Sequence, residues 1–293
     1  MRLPRPQPRR VVVRHFISYD DLKNLHTIYC PPPQRAAFPF PQRRLPHRDR
    51  PQKANNAVLV YTRSSFADQR LRELDSPKAR RWLEEIVPKL PESADNKPLR
   101  VLDVGAGTGF FTFLLSPLGY EVVGIDLTPA MIAQAKELAR HLNISAEFFV
   151  MDAEAPSFAP GSFDAVISRN LTWTLPNLER AYRAWAKLLR PGGVLINFDA
   201  DYCREHCGEL PKLHAHKDIS PACWREYEAI KHELQPGQGV RPHWDAVLLR
   251  EAGFADIQFD HGVWQRIYSE IDEFFNPTPI FVLSARLPQE TTP

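Results

Sequence analysis

The densest chemical signal in the 293-residue chain is the run Asp103-Val-Gly105-Ala-Gly107-Thr-Gly109. Glycines at alternate positions strip Cβ atoms from a turn, so the backbone can come close to a ligand. Three further aspartates, Asp126, Asp152 and Asp199, each stand directly after an apolar run. Asn170, Thr172 and Trp173 follow another such run. Carboxylates accept hydrogen bonds from hydroxyls and amino groups, and an indole offers a face to a planar or cationic partner. Such chemistry is useful only if these scattered residues share one place.

The elements between them supply that place. Short aliphatic runs at Leu99 to Val104, Tyr120 to Ile125, Ala146 to Met151, Phe163 to Ser168 and Val194 to Phe198 are strand candidates. Helical patterns separate them. Phe110 to Leu118 follows the glycine turn. A helix opened by Thr128 as N-cap and Pro129 at its first position keeps Met131, Ala135, Leu138, Ala139 and Leu142 on one face. Another runs from about Asn177 to Leu189 until Pro191-Gly192-Gly193 stops it. Strands that alternate with helices, each strand apolar throughout, specify an α/β fold with a doubly wound, mostly parallel sheet. Right-handed crossovers then bring every strand's C-terminal end to one edge, where such sheets hold ligands. All the polar residues named above fall on that edge. Further on, His243 to Ala252 reads as a helix, Phe254 to His261 as a sixth strand and Pro279 to Ala285 as a seventh.

A glycine turn after a first strand serves either a dinucleotide or S-adenosylmethionine. The dinucleotide fingerprint G-x-G-x-x-G would need glycine at position 110, where Phe110 stands. The spacing here is G-x-G-x-G behind an acid. The chain resembles the class I S-adenosylmethionine-dependent methyltransferases, in their type 11-like small-molecule branch. Asp103 to Gly109 resembles that family's first motif, and Asp126 matches its ribose-binding acid. Asp152-Ala153 matches its adenine-side position, and Leu188 to Gly193 its turn into the fifth strand. The resemblance spans about residues 58 to 293 and implies a seven-stranded Rossmann-like sheet whose seventh strand runs antiparallel beside the sixth. It implies S-adenosyl-L-methionine as cofactor, held by Asp103, Gly105, Ala106, Gly107, Gly109, Asp126, Leu127, Asp152, Ala153 and Asn170. A carboxylate suits a vicinal diol, which agrees with Asp126.

Methyl transfer from a sulfonium asks the protein mainly for alignment and exclusion of water, so no residue type is obligatory. Position selects Asn170, Trp173 and Asp199, past strands four and five, as the residues expected to place an acceptor. Trp173 reads equally as a packing residue. Residues 200–243 exceed an ordinary connection and are expected to form an inserted substrate cover. They hold Cys203, His206, Cys207, His214, His216 and Cys223, but Cys203-x3-Cys207 fits no zinc pattern, and no metal is expected. Upstream, helices at Ala67 to Leu74 and Pro77 to Val87 are expected; in relatives such a helix caps the cofactor, which brings Tyr61 and Arg63 into consideration.

Charge divides the chain near Ala57. Residues 1–57 carry 12 Lys/Arg against 3 Asp and ten of the 28 prolines, whereas the remainder has a net charge of −7. The leading segment reads as a proline-broken, largely disordered appendage, with targeting and polyanion contact as alternatives. The acidic remainder argues against a nucleic-acid substrate, whose phosphates it would repel, and favours a small molecule. Four cysteines make no disulfide framework, and no apolar run is long enough to span a membrane, so a cytoplasmic enzyme is expected. The alternatives are a non-catalytic S-adenosylmethionine-binding relative and a nucleic-acid methyltransferase that uses the basic tail. A nicotinamide-dependent oxidoreductase is opposed by Phe110.

Overall fold

The computed structural model describes residues 63–93, 97–204, 210–215, 217, 220–234 and 239–289. The basic segment and Tyr61 lie outside the described residues, as do His206, Cys207 and His216. Two helices, α1 (Arg63–Leu74) and α2 (Pro77–Ile86), precede β1 (Arg100–Val104). Then come α3 (Phe110–Leu115), β2 (Glu121–Asp126), α4 (Pro129–His141), β3 (Glu147–Val150), β4 (Phe163–Arg169), α5 (Leu178–Leu188) and β5 (Leu189–Asp199). The chain ends through α6 (Pro221–Leu234), α7 (His243–Glu251), β6 (Ala255–Asp260), α8 (Val263–Ile267) and β7 (Phe281–Arg286).

Seven strands form one sheet in the order β3-β2-β1-β4-β5-β7-β6. The first five run parallel; β7 is antiparallel to both neighbours and sits between β5 and β6. Alternate residues of each strand feed the two faces, as the period of two requires. Val101, Ile167 and Ile196 pack with Trp82 and Phe111 on one face, while Leu102, Val166 and Leu195 pack with Tyr182 and Trp185 on the other. Full burial of each large apolar side chain contributes about 1.5–3 kcal/mol. The amphipathic spacing of α2 buries Lys78, Ala79, Trp82, Glu85 and Ile86. Its polar members, together with Arg72 of α1, form a ladder of ion pairs to the segment around α8: Arg72–Glu273, Lys78–Asp272, Arg81–Glu270 and Glu85–Arg266.

Two local expectations change. Thr128 is the N-cap of α4, but its side chain makes no capping bond; the Asp126 carboxylate takes the Thr128 N–H instead, at 2.8 Å. Pro191-Gly192-Gly193 does not precede the fifth strand but lies inside it. β5 pairs with β4 already at Leu189, and the register shifts between Phe163 and Ala165 to accommodate the extra residues. Residues 200–243 contain a helix of their own, the 14-residue α6. Among the described residues no helix is long and apolar enough to cross a membrane.

Candidate cofactor and acceptor site

The turn after β1 is shaped by its glycines. Gly105, Gly107 and Gly109 have φ of 70°, 55° and 91°, the left-handed region that side chains disfavour. A Cβ on Gly107 would meet nothing within 4 Å, so this backbone faces open space. Gly107 N–H donates to Asp126 Oδ2 at 3.0 Å, and Ala106 N–H donates to the Ile125 carbonyl at 2.9 Å. The turn is thereby tied to the end of β2. Asp126 receives one N–H on each oxygen, and burial pushes its carboxyl above the ordinary range against those bonds. The Thr128 side chain adds a further hydrogen bond to this carboxylate. Leu127, beside it, is half-buried.

Asp103 is buried and accepts both the Thr112 N–H (3.1 Å) and the Thr112 hydroxyl (2.8 Å) on Oδ2. Burial raises its carboxyl to about 6. Asp152 uses Oδ1 to cap its own turn, accepting Glu154 N–H at 2.8 Å. Ala153 is buried next to it, and its carbonyl accepts the Trp185 indole N–H at 2.8 Å.

Helix α1 brings a group that sequence spacing does not reveal. Arg70 Nε donates to Thr108 Oγ1 of the glycine turn at 3.1 Å, and Arg70 pairs with Glu73. The second oxygen of Glu73 accepts Arg169 Nη2 at 2.8 Å. Both guanidinium groups lie against the Phe110 ring, at 4.8 and 4.6 Å from its centroid. Nothing in a polar helix pattern marks Arg70 or Glu73 as neighbours of a loop 38 residues away. Arg63 opens α1.

On the β4–β5 side, the three residues expected to place an acceptor fare differently. Asn170 is exposed, with φ of 52° and its N–H bonded to the Phe198 carbonyl at 2.8 Å. Its neighbour Leu171 packs so closely on Gly105 that a Cβ there would meet it at 2.9 Å, which sets this turn against the glycine turn. Trp173 is 8% exposed, with Tyr202 and Tyr227 at ring distances of 5.2 and 5.4 Å. Asp199 is 0% exposed; it accepts the Thr172 hydroxyl, the Trp173 N–H and the Ala200 N–H, and lies 3.2 Å from Arg241 Nη1.

Arg241 is the centre of that network and was not singled out by the sequence. Its buried guanidinium also bonds Asp245 (2.6 and 2.9 Å) and Thr172 Oγ1 (2.5 Å), and Tyr182 completes the Asp245 contacts at 2.7 Å. Among the described residues no group of three His, Cys, Asp or Glu side chains is arranged to hold a metal ion. Cys203 is a buried free thiol, and burial raises it to about 11.

Residues 102–197 match the family described as a methyltransferase domain. This stretch, about a third of the chain, is a methyltransferase domain. The domain is 34% identical over 177 residues to phosphoethanolamine N-methyltransferase 1 of Arabidopsis thaliana, a match covering 59% of this chain and 32% of that one. It is 36% identical over 98 residues to a ubiquinone biosynthesis O-methyltransferase of Xanthomonas campestris, covering 33% of this chain and 41% of the relative. The chain thus spans well under half the length of these relatives. In fold, the methyltransferase domain is similar to the CurJ carbon methyltransferase, with a TM-score of 0.54 at 19% identity over 80% of this chain and 61% of that one. It is also similar to a Haemonchus contortus phosphoethanolamine N-methyltransferase solved with phosphomonomethylethanolamine and S-adenosylhomocysteine. That comparison has a TM-score of 0.50 at 18% identity over 71% of this chain and 52% of the other.

Proposed function

We propose that this chain binds S-adenosylmethionine along the β1–β3 edge and transfers its methyl group to a small-molecule acceptor at the β4–β5 edge. The observation that supports it most is Gly107: a left-handed backbone facing open space, with its N–H held by the acid at the end of the next strand. When bound, the cofactor supplies a methyl group already activated on a sulfonium. Asp126, oriented by two backbone amides and the Thr128 side chain, accepts the ribose hydroxyls. The free oxygen of Asp152 takes the adenine amino group, and Leu127 and Ala153 border the base. Asp103 and Arg70 stand on either side of the glycine turn with the opposite charges that an α-amino acid head requires.

On the acceptor side, Asn170 is the residue that meets the substrate. Trp173 and Asp199 act from behind it. With its carboxylate occupied and shielded from water, Asp199 holds the turn rather than removing a proton. The segment around α6 covers the acceptor and excludes water, as long insertions beside a reacting centre do. Calorimetric titration of the full-length chain with S-adenosylmethionine tests the reading. Saturable binding that S-adenosylhomocysteine displaces and NADH does not is expected. Binding of NADH, or none of S-adenosylmethionine, would overturn it.

A further inference from the structure

A chain of hydrogen bonds behind the turn after β4 has a fixed direction. The Thr278 backbone N–H donates to Asn276 Oδ1 at 3.1 Å. A backbone amide cannot accept, so this bond settles which end of the Asn276 carboxamide is oxygen. Asn276 Nδ2 therefore faces the other way and donates to the Tyr202 hydroxyl at 2.9 Å. That hydroxyl has a single proton, and it donates this proton to Asn170 Oδ1 at 3.0 Å. Asn276 and Tyr202 are both buried, and burial pushes the phenol well above its usual range, so it keeps its proton. The direction set by one backbone N–H thus passes through two side chains to Asn170. The Asn170 oxygen is turned inward. Its Nδ2, with two N–H donors, is left on the exposed side, and no partner among the described residues takes them.

We propose that Asn170 is a specificity residue that presents N–H donors to the acceptor. It thereby selects molecules with a lone-pair oxygen at that point, such as a phenol or carboxylate, over ammonium compounds. An ammonium carries donors alone and would meet donors. Tyr202 and Asn276 are positioning residues that hold the carboxamide in this orientation. The inference rests on the methyl-transfer reading for the nature of the site, but the direction of the relay stands on its own geometry.

The test uses the ¹⁵N-labelled full-length chain saturated with S-adenosylhomocysteine. The Asn170 side-chain amide pair is identified by its loss in Asn170→Asp. Catechol or benzoate should shift that pair saturably, whereas ethanolamine should leave it in place. Tyr202→Phe keeps the ring but frees the carboxamide to turn, and should weaken catechol or benzoate binding by about five- to tenfold. Affinity for S-adenosylhomocysteine should stay unchanged in that variant.

Asn276→Asp is the sharper variant. A carboxylate can accept from both Thr278 and Tyr202, so the phenol would donate backwards and Asn170 would turn its oxygen outward. The preference should then invert towards ethanolamine, which a merely structural role for Asn276 would not produce. Three results would overturn the proposal: ethanolamine shifting the unmodified protein as strongly as catechol, no oxygen-bearing probe shifting it at all, or Asn276→Asp retaining the original preference. Should S-adenosylhomocysteine itself fail to bind, the methyl-transfer reading falls, and the same probes on the unliganded chain still decide the direction of the relay.

Discussion

Along the β1–β3 half of the sheet edge, backbone amides do the binding work and acids receive them across short spans: Gly107 to Asp126 is 19 residues, and Asp126 to Thr128 is two. Along the β4–β5 half, side chains bond to side chains over long spans, with Thr172 to Arg241 at 69 residues and Tyr202 to Asn276 at 74. The first half keeps the carboxylates of Asp126 and Asp152 only partly buried. The second buries its charges completely, with Asp199, Asp245 and the Arg241 side chain all at 0% exposure. On the proposed reading, one half is arranged to accept a ligand whose shape does not vary. The other is a braced frame on which a single exposed carboxamide is mounted.

If this contrast is right, damage to the two halves should show up in different measurements. Replacing Arg241 with Met leaves Asp199 and Asp245 buried without their counter-charge, and removal of one partner from such a pair costs about 3–5 kcal/mol. Urea denaturation should show that loss. Asp126→Ala should behave in the opposite manner, weakening S-adenosylmethionine binding by about 2–4 kcal/mol in calorimetry while leaving the melting temperature within a few degrees. Two variants that lost stability and affinity in the same proportion would erase the distinction.

Asp103 gives a smaller and pH-dependent effect. Its folded carboxyl titrates at about 6 against 3.8 when free, because burial disfavours the charge. A raised acid favours the folded state while protonated. Its contribution to stability is therefore present below about pH 4 and is lost as pH rises through 6. Binding of an ammonium-bearing cofactor runs the other way, since it needs the ionised form. Affinity for S-adenosylmethionine should fall by up to about tenfold per pH unit below 6. Titrations between pH 5 and 8 should show this slope, and Asp103→Asn should flatten it.

The same contrast explains what could be read from the amino-acid sequence. The parallel order of the strands, the glycine turn and the three acids of the first half are set by short-range patterns, namely apolar runs, turn residues and one motif. The antiparallel β7 was likewise legible through resemblance. Arg70, Glu73, Arg241, Tyr202 and Asn276 were not singled out for the contacts they make, because each acts through a partner that only the folded chain brings near. Trp173 shows the boundary between the two cases. Its place after β4 was evident, but its burial between Tyr202 and Tyr227 depends on a residue of α6, more than 50 positions later. The displaced start of β5 has a different origin: a Pro-Gly-Gly run signals a stop, and only pairing with β4 at Leu189 absorbs it as an irregularity within a strand.

Arg241 also settles how the segment between β5 and α7 joins the fold. Its guanidinium reaches the Ala200 carbonyl at 3.4 Å, and its own backbone N–H donates to Asp201 at 3.3 Å. The two ends of a stretch of some forty residues are thus fastened to each other at Arg241, and Arg204 Nη1 adds a bond to the Gly239 carbonyl at 2.9 Å. The chain therefore leaves and re-enters the domain at neighbouring places, while Ala215, Tyr227 and Ile230 within the stretch pack on the domain as well. The connections between these anchors can lengthen at a cost governed by loop closure, about 0.6 kcal/mol per doubling, without moving the strands on either side. On the methyl-transfer reading proposed above, what covers the acceptor is then as exchangeable as the head of a tool, provided Arg241 keeps the two ends together.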